Sequence, residues 1–321
     1  MNTKLFLSQL VLLLISLSLS AQEFSLALSQ HPNKKAVLVA VHGMRKDTIG
    51  IILLDQKGKG SLAFKNKQPQ TGLVNLTIID KQYLSYDFVL SPAESPTLLC
   101  DMEYVYAQNT KIINSPENDC LNRWFDGLAQ YKQKIALNQE LSKLYTPEMK
   151  FAKDLATEKQ IVEKELQKIT DTINRSSLFA GKYMQFKIAQ EEKLAKVWES
   201  NEQKAIAKKY FANQIDFDAL YGSSMWFAII NSCMEAYVKE SPYHETFGED
   251  VVKNLKRIKN GQVYEDLVDA SISVTEKFGW QKDQETIVAF ILKDNRIKKP
   301  EGKLQKVIQS YTLSNSKNAF H

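Results

Sequence analysis

The stretch INSPENDCLNRWF, from Ile113 to Phe125, marks the point at which the character of the chain changes. Ser115 is a residue type that caps helix N-termini, and Pro116 suits the first helical position, where no amide hydrogen bond is needed. Glu117 adds a negative charge at the positive end of the helix dipole. We therefore predict that a helix begins here and that the chain before it is built differently from the chain after it.

Residues 22–113, before this point, alternate apolar and polar side chains with the period of two that is typical of β-strands. Segments such as KAVLVAVHG, TIGIILLD and GLVNLTIID are rich in β-branched residues, and turn residues separate them in DQKGKG and SPAESP. Many short strands spaced by turns favour an antiparallel arrangement with one buried face. The sequence predicts an N-terminal antiparallel β-sandwich-like domain, and hence an α+β fold for the whole chain.

Residues 114–313, after this point, carry apolar side chains at intervals of three and four, the period of amphipathic helices. We expect an irregular α-helical domain whose first two helices form an antiparallel hairpin. The second helix is expected to begin at Pro147, with Thr146 as its cap. A coiled coil is the alternative, although its seam lasts only about three heptads and includes Lys159. Further helices are predicted at about 177–199, within 217–239, and at 247–259, 263–278, 284–294 and 302–312.

The N-terminal residues 1–21 have the features of a secretory signal peptide. Lys4 precedes a mostly apolar run from Leu5 to Leu19, and small residues follow before Gln22. A retained membrane anchor is the less favoured alternative, because serines interrupt the run and it is shorter than the roughly 20 apolar residues of a spanning helix. We expect cleavage near Gln22, export to the periplasm or cell envelope, and no integral membrane span in the mature chain.

The three cysteines, Cys100, Cys120 and Cys233, are too few for a disulfide scaffold, and no two of them form a C-x-x-C pair. Cys233 lies in an apolar predicted helix and is interpreted as a small buried hydrophobe. A disulfide bond between Cys100 and Cys120 would connect the strands to the first helix. That bond is one interpretation, and free thiols are the other.

Motifs that usually carry catalysis are missing from the sequence. DQKGKGS lacks the frame of a phosphate-binding loop, and YGSSMW lacks the frame of a nucleophile elbow. The four histidines do not show the spacing of a metal site, and they are His31, His42, His244 and His321. The sequence therefore predicts no catalytic residue, no cofactor-binding residue and no metal ligand, and an enzyme is not favoured.

The charge balance argues against a nucleic-acid partner. The chain has 42 basic and 37 acidic residues, a net charge of +5. The basic stretch KNLKRIKN, at 253–260, lies on a predicted amphipathic helix beside Val252, Leu255 and Ile258. Lysines and arginines in this position are typical of a solvated helix face, so we expect no nucleic-acid binding.

Three parts of the chain carry a resemblance to a known family. They are FVLSPAESPTLLCD with TKIINSPENDCLNRW, IDFDALYGSSMWFAIINSCMEAYV, and NRIKKPEGKLQKVIQSYTL. In this order, after an exported N-terminus, they resemble the N-terminal region of envelope thioredoxin-like disulfide oxidoreductases of the TlpA/ResA type, found in Bacteroidetes-like bacteria. In that family a thioredoxin domain with a C-x-x-C motif begins about where residues 314–321 end this chain. This chain lacks that domain, either because the gene is cut short or because the front half acts alone. The resemblance therefore implies no catalytic residue here, and we expect 314–321 to form a flexible tail.

The leading hypothesis is a non-catalytic periplasmic or envelope module that binds or positions a protein partner for thiol chemistry carried out elsewhere. The alternative is a small-ligand, glycan or peptide binder, or an enzyme, that uses a cleft between the two domains lined by Trp124, Trp198 and Trp226. All three tryptophans fall within predicted helices, at or beside apolar stripes, which favours core packing. A structural interaction protein using the helix at 146–173 is a third hypothesis, which differs from the first mainly in its partner.

Overall fold

The computed structural model describes residues 23–64, 70–80, 83–106, 108–238 and 246–318. These residues form two compact units. The first consists of the described part of Met1–Ala40 together with Asp47–Cys120, and the second of Val41–Lys46 with the described part of Leu121–His321. The fold is α+β, with strands first and helices after them, as predicted. The expected signal peptide, residues 1–21, lies outside the described residues.

Eight strands within the described residues form two four-stranded sheets. The strands are β1 (Glu23–Leu28), β2 (Lys35–His42), β3 (Arg45–Leu53), β4 (Lys59–Ala63), β5 (Gly72–Ile79), β6 (Tyr83–Leu90), β7 (Thr97–Cys100) and β8 (Lys111–Ile113). One sheet has the order β4-β1-β7-β8 and the other the order β3-β2-β5-β6.

Both sheets contribute to one hydrophobic core, which gives the first unit its sandwich character. Phe24 and Leu26 alternate with less buried residues along β1, and they belong to the same buried cluster as Leu38 of β2 and Phe88 of β6. The rings of Phe24 and Phe88 stack with their centroids 4.9 Å apart. The alternation in the sequence therefore has a direct cause, because every second side chain faces this core.

One strand pair departs from the antiparallel expectation. Strands β1 and β7 run parallel, with Leu26 beside Leu98 and Leu28 beside Cys100. A parallel neighbour needs a long connection, and here the intervening chain forms β2 to β6. The period of a strand does not reveal which strand lies beside it, so the sequence could not predict this pair.

Ten α-helices lie within the described residues. They are α1 (Pro116–Ser142), α2 (Lys150–Arg175), α3 (Phe179–Ala189), α4 (Asn201–Asn213), α5 (Phe217–Tyr221), α6 (Trp226–Val238), α7 (Phe247–Arg257), α8 (Gly261–Phe278), α9 (Gln281–Asp294) and α10 (Gly302–Asn318). A π-helical turn, Gln190–Leu194, follows α3 directly.

Helix α1 begins where the sequence predicts, directly after Ser115. The backbone N–H of Asn118 donates to the Ser115 hydroxyl over 3.3 Å, which satisfies one of the free amides of the first turn. The buried side chain of Asn118 also binds both backbone groups of Val89 in β6. Its amide donates to the Val89 carbonyl over 2.7 Å, and its oxygen accepts from the Val89 N–H over 2.9 Å. Asn118 and Val89 both belong to the first unit, so this contact fixes the first turn of α1 within that unit.

Helices α1 and α2 run antiparallel, as predicted. The side-chain amide of Asn138 donates to the Leu155 carbonyl over 2.7 Å. Nearer the start of α1, Gly127 lies against Ile169, whose Cδ1 would be 2.8 Å from a Cβ atom at position 127. These two contacts pair later residues of α1 with earlier residues of α2, which fixes the register of the hairpin.

The predicted start of α2 is wrong by three residues. The Thr146 carbonyl accepts a hydrogen bond from the Met149 N–H over 3.1 Å, which closes a turn. Met149 has an extended backbone and occupies the N-cap position, so the helix begins at Lys150. A Thr-Pro pair suits a turn as well as a helix start. Every residue from 139 to 151 is exposed, so no element among the described residues covers this connection.

The helices of the second unit enclose a cluster of buried aromatic side chains. The Phe211 ring on α4 is fully buried, and its centroid lies 6.0 Å from those of Phe217 and Tyr237 and 6.3 Å from that of Phe247. The Tyr237 hydroxyl donates to the buried carboxylate of Asp250 over 2.9 Å. Four helices therefore place one ring each in the same core.

Helix α10 extends to Asn318, so the first five residues of the predicted flexible tail, 314–321, are helical. Residues 319–321 lie outside the described residues. In the part of the chain that the structure describes, no helix combines the length and apolar character needed to cross a membrane.

Candidate functional site

The three cysteines are free thiols in the structure, so the Cys100–Cys120 disulfide bond is not formed in it. Cys100 is buried in β7, with its Sγ 3.6 Å from the Met102 carbonyl oxygen. Cys233 is fully buried in α6, and burial raises the pKa of its thiol. Cys120 is half-buried in the second turn of α1. A thiolate is the reactive form of cysteine, so burial makes Cys233 unreactive.

The three tryptophans of the sequence analysis have different environments. Trp124 and Trp226 are buried in α1 and α6, whereas Trp198 is 46% exposed. Trp198 also lies in a turn and not in a helix, which corrects the prediction of one helix over 177–199. The helix gives way to the π-helical turn, where the Ala195 N–H donates to the Gln190 carbonyl over 2.8 Å.

Two of the four histidines, His31 and His42, are described, whereas His244 and His321 lie outside the described residues. The Nε2 atom of the buried His31 lies 2.9 Å from the Glu103 carbonyl oxygen. Among the described residues, no group of three or more His, Cys, Asp and Glu side chains is placed to hold a metal ion.

A polar cluster in the second unit involves Arg45, Tyr221 and Asp266. The Arg45 guanidinium donates to the Tyr221 hydroxyl over 2.6 Å, and that hydroxyl donates to the Asp266 carboxylate over 2.8 Å. Burial and the hydrogen bond to Asp266 raise the pKa of Tyr221 to about 12. The phenol therefore stays protonated near neutral pH, and the cluster positions the segment Val41–Lys46 instead of presenting a nucleophile.

A groove of about 600 Å³ lies along the hairpin and is lined by both α1 and α2. Its lining residues are Arg123, Trp124, Asp126, Gly127, Gln130 and Tyr131 from α1, and Lys168, Ile169 and Thr172 from α2. Most of these side chains are exposed or half-buried, and Trp124 is buried. The groove therefore combines an aromatic and aliphatic floor with polar side chains that solvent reaches.

The groove carries charges of both signs. The Lys168 ammonium donates to the Glu165 carboxylate over 2.6 Å, and this hydrogen bond raises the pKa of Lys168. Lys168 is therefore protonated at any physiological pH. Arg123 supplies a second positive charge to the groove and Asp126 a negative one. Acidic groups of a bound segment could therefore pair with Arg123 and Lys168, and basic groups could pair with Asp126.

The far end of the hairpin exposes a group of large apolar side chains, which we call the apolar tip. Its members are Leu137, Leu141, Leu144, Tyr145, Met149 and Phe151, and they are between 36% and 73% exposed. The rings of Tyr145 and Phe151 meet edge to face, 4.8 Å apart. Single exposed apolar side chains are normal on protein surfaces, whereas large exposed apolar patches are the kind of surface found at interaction sites.

Sequence reasoning missed both surfaces, although part of the signal was present. Trp124, Tyr131 and Ile169 fall on predicted apolar stripes, which favours core packing for them, and only Trp124 is also considered as part of a cleft. Leu137, Leu141 and Leu144 recur at intervals of four and three, which is the pattern of a packed helix face. The sequence could not show that these three side chains stay exposed in the described part of the structure.

No family model, no curated protein and no solved structure matches this chain. The fold and the two surfaces define only a general structural class. It is a mixed α+β protein with a sandwich of two sheets and a helical unit that carries an exposed two-helix hairpin.

Proposed function

We propose that this chain is a non-catalytic module of the cell envelope that binds a partner protein through the groove of the α1–α2 hairpin. The partner segment would be a helix or an extended strand that lies along the two helices. The predicted signal peptide supports the envelope location, and the composition of the groove supports a protein partner.

The observation that carries this proposal is the set of residue types in the groove. Tyr131 and Arg123 belong to two of the three residue types that dominate binding hot spots in protein interfaces, and the buried Trp124 contributes only to the floor of the groove. Small-molecule pockets are concave and predominantly apolar, whereas this groove is bordered by exposed Arg123, Asp126 and Lys168. A protein segment, with side chains of several kinds, suits this mixture better than a small ligand.

The resemblance to the front half of thioredoxin-like oxidoreductases suggests the kind of partner. We propose that the module positions a protein that carries out thiol–disulfide exchange with its own cysteine pair. We do not propose the alternative of a small-ligand cleft lined by Trp124, Trp198 and Trp226, because burial of Trp124 and Trp226 in helices gives them a packing role.

Site-specific photo-cross-linking in living cells tests the groove. A photoreactive amino acid at Gln130, inside the groove, should form an adduct of discrete mass with the partner. The matched control is the same amino acid at Ala136, an exposed position six residues further along α1. Combining the Gln130 probe with Arg123→Ser and Tyr131→Ser should remove the adduct, because the two main contact groups are lost.

The groove proposal fails if the Gln130 and Ala136 probes give the same adducts, or if the double substitution leaves the Gln130 adduct unchanged. Identification of the adduct by mass spectrometry then tests the thiol-exchange part separately. A partner without a cysteine pair would contradict the thiol-exchange proposal but not the proposal that the groove binds a protein.

A redox assay tests the non-catalytic part. The chain from Gln22 onward should reduce insulin disulfides in the presence of dithiothreitol no faster than dithiothreitol alone, since Cys100 and Cys233 are buried. Replacing all three cysteines by serine should leave the Gln130 adduct intact. Reductase turnover by the wild-type chain, lost in the serine variant, would show that the module is an enzyme.

A further inference from the structure

The apolar tip is a concentrated feature of the surface. Six of the 21 exposed large apolar side chains in the described part of the chain lie between residues 137 and 151. All thirteen residues from 139 to 151 are exposed. Asn138, the residue before them, is buried, and its side-chain amide is hydrogen-bonded to α2. The hairpin is therefore held together just below the tip, and the tip itself is covered by nothing in the described residues.

The charges around the tip are balanced. Residues 140–154 contain three lysines and three acidic residues, and they are Lys143, Lys150, Lys153, Glu140, Glu148 and Asp154. Lys143 is paired with Glu140 over 2.7 Å. An anionic lipid surface or a nucleic acid would favour an excess of lysine. A neutral surface, by contrast, can face an identical surface without net repulsion.

The size of the tip suits a subunit interface. Six large side chains that are about half exposed offer on the order of 600 Å² of surface, since one aromatic side chain buries roughly 150–250 Å² when fully covered. A stable interface needs about 800 Å² from each partner, with a polar rim around its apolar centre. The six side chains and the charged residues around them come close to that area.

We propose that the apolar tip is a homodimer interface, in which Leu137 and Leu141 near the end of α1 and Leu144 in the turn after it pack antiparallel against the same residues of a second copy. Leu141 lies between Leu137 and Leu144 in the stripe. In a two-fold antiparallel pair, Leu141 meets its own counterpart near the axis, and Leu137 faces Leu144 or Tyr145 of the other copy. The two hairpins together then form a four-helix arrangement, in which the apolar stripes are buried as in helix bundles.

The first test measures self-association by sedimentation velocity of the chain from Gln22, which contains every described residue. The wild type should shift from monomer to dimer as its concentration rises. The variant Leu137→Ser/Leu141→Ser/Leu144→Ser should weaken the dimer about a hundredfold, because each leucine loses several carbons of buried surface. The control is Leu53→Ser/Phe227→Ser/Leu292→Ser, which removes three exposed apolar side chains elsewhere and should leave the dimer unchanged.

The second test is a symmetric cross-link. In a Cys120→Ser background, where the two remaining native thiols are buried, Leu141→Cys should give a disulfide-linked dimer on mild oxidation. Leu292→Cys, a control on α9 that is 46% exposed where Leu141 is 39% exposed, should stay monomeric. Circular dichroism of each variant confirms that the helices are intact.

Three results would overturn the proposal. The first is a wild type that stays monomeric at several hundred micromolar, and the second is a dimer that the tip triple variant does not weaken. The third is a monomer that sediments with neutral or anionic vesicles through the tip, which would assign the surface to lipid. The partner adduct at Gln130 is scored in the tip variant as well, so loss of the dimer and loss of partner binding are distinguished.

Discussion

Helices α2 and α7 of the second unit differ sharply in how much of their surface is covered. Helix α2 has 26 residues, of which only Leu155, Val162 and Ile173 are buried. Helix α7 has 11 residues, of which six are buried. Both helices have an apolar stripe, so the difference in burial comes from the number of elements that pack against each helix. A helix covered from several sides stabilises the fold, whereas a helix covered from one side leaves apolar surface free for binding.

The hairpin is stabilised at particular points and not along its whole length. Asn118 fixes the start of α1 to β6, and Asn138 joins α1 to α2. The ion pairs along α2, such as Lys159–Glu163, are exposed and join residues of the same helix. Pairs of this kind contribute only about 0.3–0.5 kcal/mol each. The comparison therefore predicts large effects in the covered core, intermediate effects at the fixed points and small effects at the tip.

The largest effect is expected for Phe211→Ala in the aromatic core. Phe211 is fully buried among three other rings, and removing such a side chain costs about 3–5 kcal/mol. Thermal unfolding should show a melting temperature lower by roughly 10 °C, at about 2–4 °C per kcal/mol for a protein of this size. The matched variant Phe151→Ala, on the tip, should change it by less than about 2 °C. An equal decrease in melting temperature for both variants would contradict the difference between the covered core and the exposed tip.

A second prediction concerns the fixed point at the start of α1. Asn118→Ala leaves the buried N–H and carbonyl of Val89 without their partners, which should cost about 2–3 kcal/mol. Asn122→Ala, an exposed change on the same helix, should cost less than about 0.5 kcal/mol. Chemical denaturation measures both values. A loss below about 1 kcal/mol for Asn118→Ala would mean that the two hydrogen bonds to Val89 contribute little to the stability of the first unit.

A third prediction uses pH. Burial lowers the pKa of Lys208 in the folded state to about 8, from 10.5. Between these two values the unfolded chain binds more protons than the folded chain, so this lysine makes the free energy of unfolding rise with pH across that window. Below pH 8 the folded protein carries the full cost of the half-buried ammonium.

Lys208→Met should therefore raise the melting temperature at pH 7 by about 2–4 °C, after allowance for solvent screening of a half-buried charge and for its contact with the Tyr237 ring. The gain should fall towards zero near pH 10. Lys209→Met, an exposed neighbour, should show no such trend. If the melting temperatures of Lys208→Met and wild type differ by the same amount at every pH from 7 to 10, the prediction is contradicted.

The smallest effect is expected for Met149→Ser on the apolar tip. Met149 is 49% exposed in the connection between α1 and α2, so at dilute, monomeric concentrations the free energy of unfolding should change by less than about 0.5 kcal/mol. Chemical denaturation at low micromolar concentration is the measurement. A loss above about 1 kcal/mol would show that the tip packs against the protein's own chain.

The sequence by itself determined the division of the chain and the type of most elements. The start of α1 after Ser115 was readable because a cap, a proline and an acidic residue act within one turn. The strands from Phe24 to Phe88 were readable because alternation is a property of each segment alone. The end of α8 at Phe278 also has a local cause, because Gly279 follows it in the left-handed conformation that glycine adopts readily.

Tertiary structure alone decided the features that depend on residues far apart in the chain. The parallel pairing of β1 with β7 depends on where the intervening strands lead, and the start of α2 at Lys150 depends on a turn that no neighbour covers. The groove exists because the register of two helices brings Tyr131 and Lys168 to the same side. The tertiary structure also decides whether Leu141 is buried or exposed. An apolar stripe shows that burial of a helix face is favourable, but it does not show which part of the protein will cover that face.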